Sequence, residues 1–222
     1  MARKRRRRNR LAIATPATVR VRGEGVAKAA PDAAKVIVGI VVADSSLQSA
    51  REGAAAQAAT AIAAAKAAGV PASDLQTSEY RIQPVYRHSQ SNDEPPAIAG
   101  YEIRNSVAVT VRDLTRLADL LDVVVAAGSN QISGPEFFLQ HPDVAEDAAR
   151  RAAMASARRH AETLASTEGG RLGRVLSIAE GDARHVPTPR VAMRALADAP
   201  PTPIEAGTER ISATVEVTWE LV

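Results

Sequence analysis

Cysteine is absent from this chain of 222 residues, and aromatic side chains are scarce. Without cysteine there is no disulfide scaffold, iron–sulfur cluster, thiolate zinc site or cysteine nucleophile. The six aromatic residues argue against a protein that stacks single-stranded nucleic acid on several aromatic platforms. No apolar run reaches the roughly 18–20 residues that a membrane-spanning helix needs.

The positive charge is concentrated at one end of the chain. The totals of 28 basic and 25 acidic residues give +3, but seven basic residues and no acid lie within the first ten positions: Arg3, Lys4, Arg5, Arg6, Arg7, Arg8 and Arg10. The remainder holds 21 basic against 25 acidic residues, a net charge of −4. Because like charges repel and have nothing apolar to bury, residues 1–16 are predicted to form a disordered arm.

Three roles are open to this arm. It could contact nucleic acid or anionic lipid through the basic side chains, or it could be a damaged or misassigned export signal. Residues 11–18 hold two large aliphatic residues, two threonines and a proline, which is too weak for the apolar core of a secretory signal. The residues alone therefore predict a cytoplasmic protein.

The first part of the globular region reads as two strands. Val19 and Val21 alternate with polar residues, and Gly23 and Gly25 indicate a bulge or a close backbone approach near the end of that strand. The run 35–43 is apolar on both faces and rich in β-branched residues, which predicts a central strand covered on both sides.

An alanine-rich helix is predicted next. Its N-cap candidates are Asp44, Ser45 and Ser46, and it ends at Gly69. Eleven of the fifteen residues in 54–68 are alanine. Leu47 and Ile62 are the large apolar side chains available to anchor it, so its packing should be tight but thin.

Further strands and helices follow from the same periodicities. We predict strands at 74–87, 101–111, 132–140, 172–180 and 211–221, a helix capped by Asp113 and ended by Gly128, and a helix from 142–143 to 169–170. Pro84 favours an edge position for the first of these strands. A mobile polar loop is expected at 87–99 and a proline-rich flap at 182–207.

The third helix has a solvated face. Its predicted ion pairs at i, i+4 are Glu146/Arg150, Asp147/Arg151 and Arg158/Glu162.

The predicted order is ββαββαβαββ, and its central part is a split βαβ arrangement with two helices on one face of an antiparallel sheet. We therefore predict an α+β fold, an antiparallel or mixed sheet covered by Ala-rich helices, in one domain over 17–222.

No residue pattern commits the chain to catalysis. The histidines His88, His141, His160 and His185 lack the close spacing of a helical metal site. His141 and Asp143 could belong to a Ser/His/Asp arrangement, but no G-x-S-x-G elbow accompanies them, and a loop histidine before a helix cap is the alternative. The glycines near positions 23 and 170 lack the strand-to-helix context of a phosphate loop. No catalytic residue, metal or cofactor is predicted.

Several local features occur together in an order that resembles the SIMPL-domain, YggE-like family. These features span residues 20–221 and are Gly23-Glu24-Gly25, Pro31-Asp32, Gly69, Asp74-Leu-Gln-Thr-Ser78, Pro84-Val-Tyr86, Gly100-Tyr101, Asp113-Leu114, Leu121-Asp122, Gly128, the stretch 157–165, Leu172-Gly173 and Pro203-Ile-Glu-Ala-Gly207.

The resemblance implies a non-enzymatic α+β protein, often located in the bacterial periplasm or outer envelope and linked to oxidative-stress tolerance. Some members of that family form large ring-shaped homo-oligomers, and the founding animal member is associated with kinase signalling. The family has no established catalytic residues to carry over. The arginine run stands where exported relatives have a signal peptide.

Three hypotheses follow. The first is a self-assembling SIMPL-type protein active in stress protection, with an unidentified protein partner as a further option. Because many side chains are small, the core of a monomer would be thin, and contacts between subunits could bury additional apolar surface. The second is electrostatic binding of nucleic acid or anionic membrane through the basic arm. The third is an uncharacterised hydrolase that uses His141 and Asp143.

Overall fold

A computed structural model describes residues 16–87, 97–181, 184–187 and 204–222. The basic arm therefore lies outside the described residues, as do residues 88–96 of the predicted loop and most of the predicted flap. In chain order the helices and strands are β1 (Thr18–Ala29), β2 (Ala33–Asp44), α1 (Leu47–Ala67), β3 (Leu75–Arg87), β4 (Ala97–Val111), α2 (Leu117–Ala126), β5 (Gln131–Phe138), α3 (Asp143–Thr167), β6 (Leu172–Glu180), β7 (Arg184–Pro187) and β8 (Glu209–Leu221).

The described residues form two compact units. Unit 1 joins the chain up to Lys28 with Asp143–Val186 and Arg210–Val222, and it contains β1, α3, β6, β7 and β8. Unit 2 consists of Ala29–Pro142 together with the described residues of 187–209. The α+β class is confirmed, with two sheets in place of one.

The sheet of unit 2 has the strand order β3-β4-β2-β5, and each neighbouring pair is antiparallel. This is the order of a split βαβ arrangement, as predicted, since each helix connects two strands with one strand lying between them. α1 and α2 pack on the same face. Their core with β2 and β4 includes the buried side chains Val36, Val38, Val107, Val109, Leu117, Leu120 and Val124.

The central position of β2 is confirmed, but its second face is covered less than predicted. Val36, Val38 and Ile40 are buried under the helices. On the opposite face Lys35 is exposed and Val41 is half-buried. The aliphatic run therefore reflects strand propensity on that face as well as burial.

α1 is packed through alanine alone at its fully buried positions, which are Ala50, Ala54, Ala58, Ala61 and Ala65. Ser46 is the N-cap, accepting a hydrogen bond from the amide of Ser49, and Gly69 ends the helical region at a φ of +92°. The prediction that Leu47 anchors the helix is wrong. It lies in the first turn, ahead of the buried row, and is exposed.

Gly53 is a weak point in the middle of α1. A Cβ atom there would meet only Val42 Cγ1, at 3.5 Å, an ordinary van der Waals contact. Gly53→Ala is therefore expected to raise the free energy of unfolding by about 0.5–1 kcal/mol, because glycine loses more backbone entropy in a helix. Urea unfolding followed by circular dichroism would measure this gain, and a loss of stability would show that α1 lies closer to the sheet.

The β3–β4 hairpin is longer than predicted. β3 is an edge strand, which confirms the placement of Pro84. The predicted end of this strand at Arg87 is confirmed, but the predicted loop 87–99 extends too far at its second end, because Ala97 pairs with Arg87 and Ile98 with Tyr86. β2 ends at Asp44, opposite Tyr101, so beyond this point the described part of the hairpin is a ribbon of two strands.

Unit 1 is built around β8, which is hydrogen-bonded to β1, β6 and β7. The predicted alternation of β8 is confirmed, with Ile211, Ala213, Val215, Val217 and Trp219 buried. β7 is an addition to the prediction, since it lies inside the expected flap. It pairs with β8, so this part of the segment is held to the sheet.

The close backbone approach predicted for Gly23 and Gly25 is confirmed, although it lies in the middle of β1 and not near its end. A Cβ atom on Gly25 would stand 2.1 Å from Ala149 O, and one on Gly23 would stand 2.2 Å from Ala153 O. The two glycines let β1 lie directly against the backbone of α3. They therefore act in packing and not as a phosphate loop.

Two of the three predicted ion pairs on α3 are present. Arg150 Nη2 lies 3.1 Å from Glu146 Oε2, and Arg158 Nε lies 3.0 Å from Glu162 Oε1. The pair Asp147/Arg151 is wrong. Asp147 instead meets Arg150, whose Nε also contacts Glu180 on β6 at 2.6 Å. One guanidinium can serve three carboxylates because it offers five donors.

Candidate functional site

A buried carboxylate marks the end of the unit 2 sheet next to α1. Asp74 immediately precedes β3, and Arg112 immediately follows β4, so both residues lie at the same end of the hairpin. Arg112 donates from Nε to Asp74 Oδ2 at 2.7 Å and from Nη2 to Asp74 Oδ1 at 2.8 Å. The side chain of Asp74 is 4% exposed, whereas that of Arg112 is 57% exposed. This is a bidentate salt bridge in which the carboxylate is buried and the guanidinium is solvated.

Gln140 extends the pair into a network. It accepts from Arg112 Nη1 at 3.3 Å through its side chain, and its own amide nitrogen Nε2 donates to the main-chain carbonyl of Arg112 at 3.3 Å. The backbone amide of Gln140 donates to Asp32 Oδ1 at 2.8 Å. The segments around β2, β3, β4 and β5 are thereby joined at one end of the sheet.

A second guanidinium lies beside this network. Arg116 Nη2 donates to the carbonyl of Ala68 at the C-terminal end of α1, at 2.5 Å. A cation is favourable there because the last carbonyls of a helix are unpaired and carry partial negative charge. The side chains of Asp74, Arg112, Asp113 and Arg116 line an open cavity of about 210 Å³.

The charges around this cavity are already satisfied. The hydrogen bonds from Arg112 lower the pKa of Asp74 against the opposing effect of its burial. The hydroxyl and the amide of Thr115 lower the pKa of Asp113. Both carboxylates are weak bases, and both arginines have partners, so the arrangement fits a structural role better than acid–base chemistry. We call the hydrogen-bonded cluster of Asp74, Arg112 and Gln140 the clasp.

A different surface in unit 2 exposes apolar side chains. Tyr80 and Tyr86 on β3 are 55% and 50% exposed, and Ile98 on β4 is 53% exposed. Ile82, on the same face, is also exposed, and so is Val85 on the opposite face of β3. Contiguous apolar patches on a soluble protein commonly mark interaction sites. We call β3 from Glu79 to Arg87 the β3 edge.

Neither His141 nor Asp143 belongs to the Asp74 network or to the exposed apolar surface. Both residues are exposed. Within the described segments, neither side chain makes a hydrogen bond that would orient a catalytic histidine. His160 is a surface residue whose Nδ1 lies 3.3 Å from the carbonyl of Arg22. His88 and the seven basic residues of the arm lie outside the described residues.

Among the residues that the structure describes, no group of three or more histidine or acidic side chains could hold a metal ion. A search of the same residues for a helix that is long and apolar enough to cross a membrane found none.

Sequence reasoning missed the clasp formed by Asp74, Arg112 and Gln140. Asp74 and Arg112 are 38 residues apart, so no helical or strand spacing links them. A weak signal was present, because each flanks a strand of the same predicted hairpin. Charged residues that flank paired strands meet when the register aligns them.

Comparison with known proteins identifies relatives over nearly all of the chain. The model of the SIMPL family, described as a protein of unknown function (DUF541), matches residues 19–219. A 26 kDa periplasmic immunogenic protein of Brucella melitensis is 34% identical over 216 residues, covering 93% of this chain and 85% of the relative. The uncharacterized protein YggE of Escherichia coli K12 is 31% identical, covering 81% of this chain and 71% of the relative. This chain belongs to the SIMPL family.

Proposed function

We propose that this chain is a non-enzymatic protein that self-assembles at the cell envelope and takes part in protection against stress, oxidative stress above all. The observation that carries the assembly is the exposed apolar surface of the β3–β4 hairpin. A two-stranded ribbon is marginally stable in water by itself. Exposed Tyr86 and Ile98 lie on this ribbon, and exposed Tyr80 and Ile82 continue the same face where β2 still pairs with β4. These side chains gain burial when a second molecule covers them.

Two further observations support this proposal. The Brucella relative is named as a periplasmic protein, which favours an envelope location. None of the relatives named above carries an enzymatic name. The clasp around Asp74 fits a structural role better than a catalytic one.

Light scattering behind a sizing column tests the assembly. Over about 1–100 µM the full chain is expected to give a mass that is a multiple of 23.3 kDa and that rises with concentration. A single monomeric species over that range would contradict the proposal. For the stress role, a strain that lacks the protein should survive peroxide less well and recover when the gene is restored, whereas equal survival would remove that part.

The basic arm supports a second candidate function. Seven basic residues within ten positions, on a chain that is otherwise acidic, give a local site for an anionic polymer or surface. Affinity for duplex DNA or for anionic vesicles should fall steeply with salt. It should be lost when residues 1–10 are deleted, and equal binding by the shortened chain would contradict this role.

A further inference from the structure

The β3 edge begins after one irregularity in the pairing with β4 and contains the position of a second, which lies on β4. The pairing of β3 with β4 shifts between Thr77 and Glu79, where Ser78 is the extra residue. It shifts again opposite Val85 and Tyr86, where the extra residue, Ala99, is on β4. From Glu79 to Arg87 the backbone of β3 therefore alternates without interruption. In the described part of the chain, its outer side has no strand partner.

The two faces of the β3 edge carry different residues. One face holds Glu79, Arg81, Gln83, Val85 and Arg87, and the other holds Tyr80, Ile82, Pro84 and Tyr86. The second face is the one that packs against the helices further along the sheet, because Ile82 pairs with Ile103, which is buried under α1. At the edge itself these aromatic and aliphatic residues are exposed.

We propose that the β3 edge is a self-complementary interface that pairs antiparallel with the β3 edge of a second copy, with the two-fold axis at Gln83. This inference rests on the self-assembly proposed above and assigns a surface to it. In an isologous interface, whenever residue i of one copy contacts residue j of the second, residue j of the first copy contacts residue i of the second. The register centred on Gln83 meets that requirement on both faces.

On the polar face, this register sets Glu79 opposite Arg87 of the second copy, and Arg81 opposite Val85. Two symmetry-related pairs of opposite charge result, and no like charges stand opposite one another across the interface. Within its own chain Glu79 is 3.1 Å from Arg81. Arg87 is exposed at the end of β3, where this register brings it opposite Glu79 of the second copy.

On the apolar face, the same register sets Tyr80 opposite Tyr86 and Ile82 opposite Pro84. Aromatic cross-strand pairs are among the more stabilising pairs in antiparallel sheets. Pro84 lacks an amide hydrogen and removes one donor from the edge of each copy. The same donor is missing in the proposed register, so this interface depends on its side-chain pairs more than on backbone hydrogen bonds.

Charge reversal tests the pairing. Glu79→Arg alone and Arg87→Glu alone each place like charges opposite one another, and each is expected to weaken self-association about tenfold. The double variant, E79R with R87E, restores opposite charges across the interface. Its dissociation constant should return to within about threefold of that of the unaltered chain. Sedimentation at several concentrations measures all four proteins.

Leu164→Lys is the control for a changed surface charge at a site outside the β3 edge, since Leu164 is exposed and lies on α3. It should leave association unchanged, and circular dichroism would show that every variant folds. If the unaltered chain associates but the single reversals have no effect, or the double variant fails to recover, the β3 edge is not the interface and assembly uses another surface. A chain that stays monomeric overturns both the interface and the assembly.

Discussion

Gly25→Val is expected to lower the free energy of unfolding of unit 1 by about 3 kcal/mol. The added Cβ would stand 2.1 Å from Ala149 O and 2.2 Å from Ala153 N. Both are backbone atoms of α3, so no side-chain rotation relieves the clash. The helix must move away from β1, and the contacts of its buried alanine row loosen with it.

Trp219 provides the measurement, because it is the sole tryptophan of the chain and is buried in the unit 1 core. Urea unfolding followed by the fluorescence of Trp219 would measure the loss of stability directly. Glu24→Val is the matched control, with the same side chain one residue away on the exposed face of β1. It should change stability by no more than about 0.5 kcal/mol. Equal midpoints for the two variants would show that β1 does not lie against the α3 backbone.

Asp74→Asn is expected to destabilise unit 2 by about 2 kcal/mol near neutral pH, the usual value of hydrogen bonds to a charged group. The remaining Arg112 is largely solvated and keeps its hydration. Arg112→Met should destabilise unit 2 more than Asp74→Asn does, because it leaves a buried carboxylate without its cation. The double variant should lose less than the sum of the two, and strict additivity in urea unfolding would show that the two residues do not interact.

The effect of Asp74 depends on pH with a fixed sign. Its pKa in the folded chain is below the ordinary value of 3.8, so the unfolded chain binds the proton first on acidification. The clasp therefore contributes fully above that ordinary value, and its contribution is lost as pH falls through the lowered pKa. The stability difference between the native chain and Asp74→Asn should shrink at low pH, and a difference that grows would contradict this.

The parts of the fold that the sequence predicted are those fixed by local chemistry. β8 alternates without a break, and Gly69 and Gly128 end helices at positive φ, as their positions indicated. The split βαβ order followed from counting such elements. Where burial is set by residues distant in the chain, local patterns predict it poorly, and the prediction of Leu47 as an anchor fails for this reason.

The candidate sites were less predictable for the same reason. The clasp needs a register between β3 and β4 that no residue spacing encodes. Tyr80 is exposed because β3 is the edge strand of the sheet, and Tyr86 lies on the part of the hairpin beyond the end of β2 at Asp44. Alternating apolar residues look alike in the sequence whether or not another element covers them.

The strand arrangement of unit 1 sets the order in which the molecule can form during synthesis. Unit 2 is nearly continuous in the chain, but β1 needs β8, and Arg20 contacts Thr218 across 198 residues. At roughly 5–20 residues per second, translation leaves β1 without that neighbour for at least about 10 s. During this interval β1 has no completed sheet to join, so unit 1 cannot finish folding until its last strand has been synthesised.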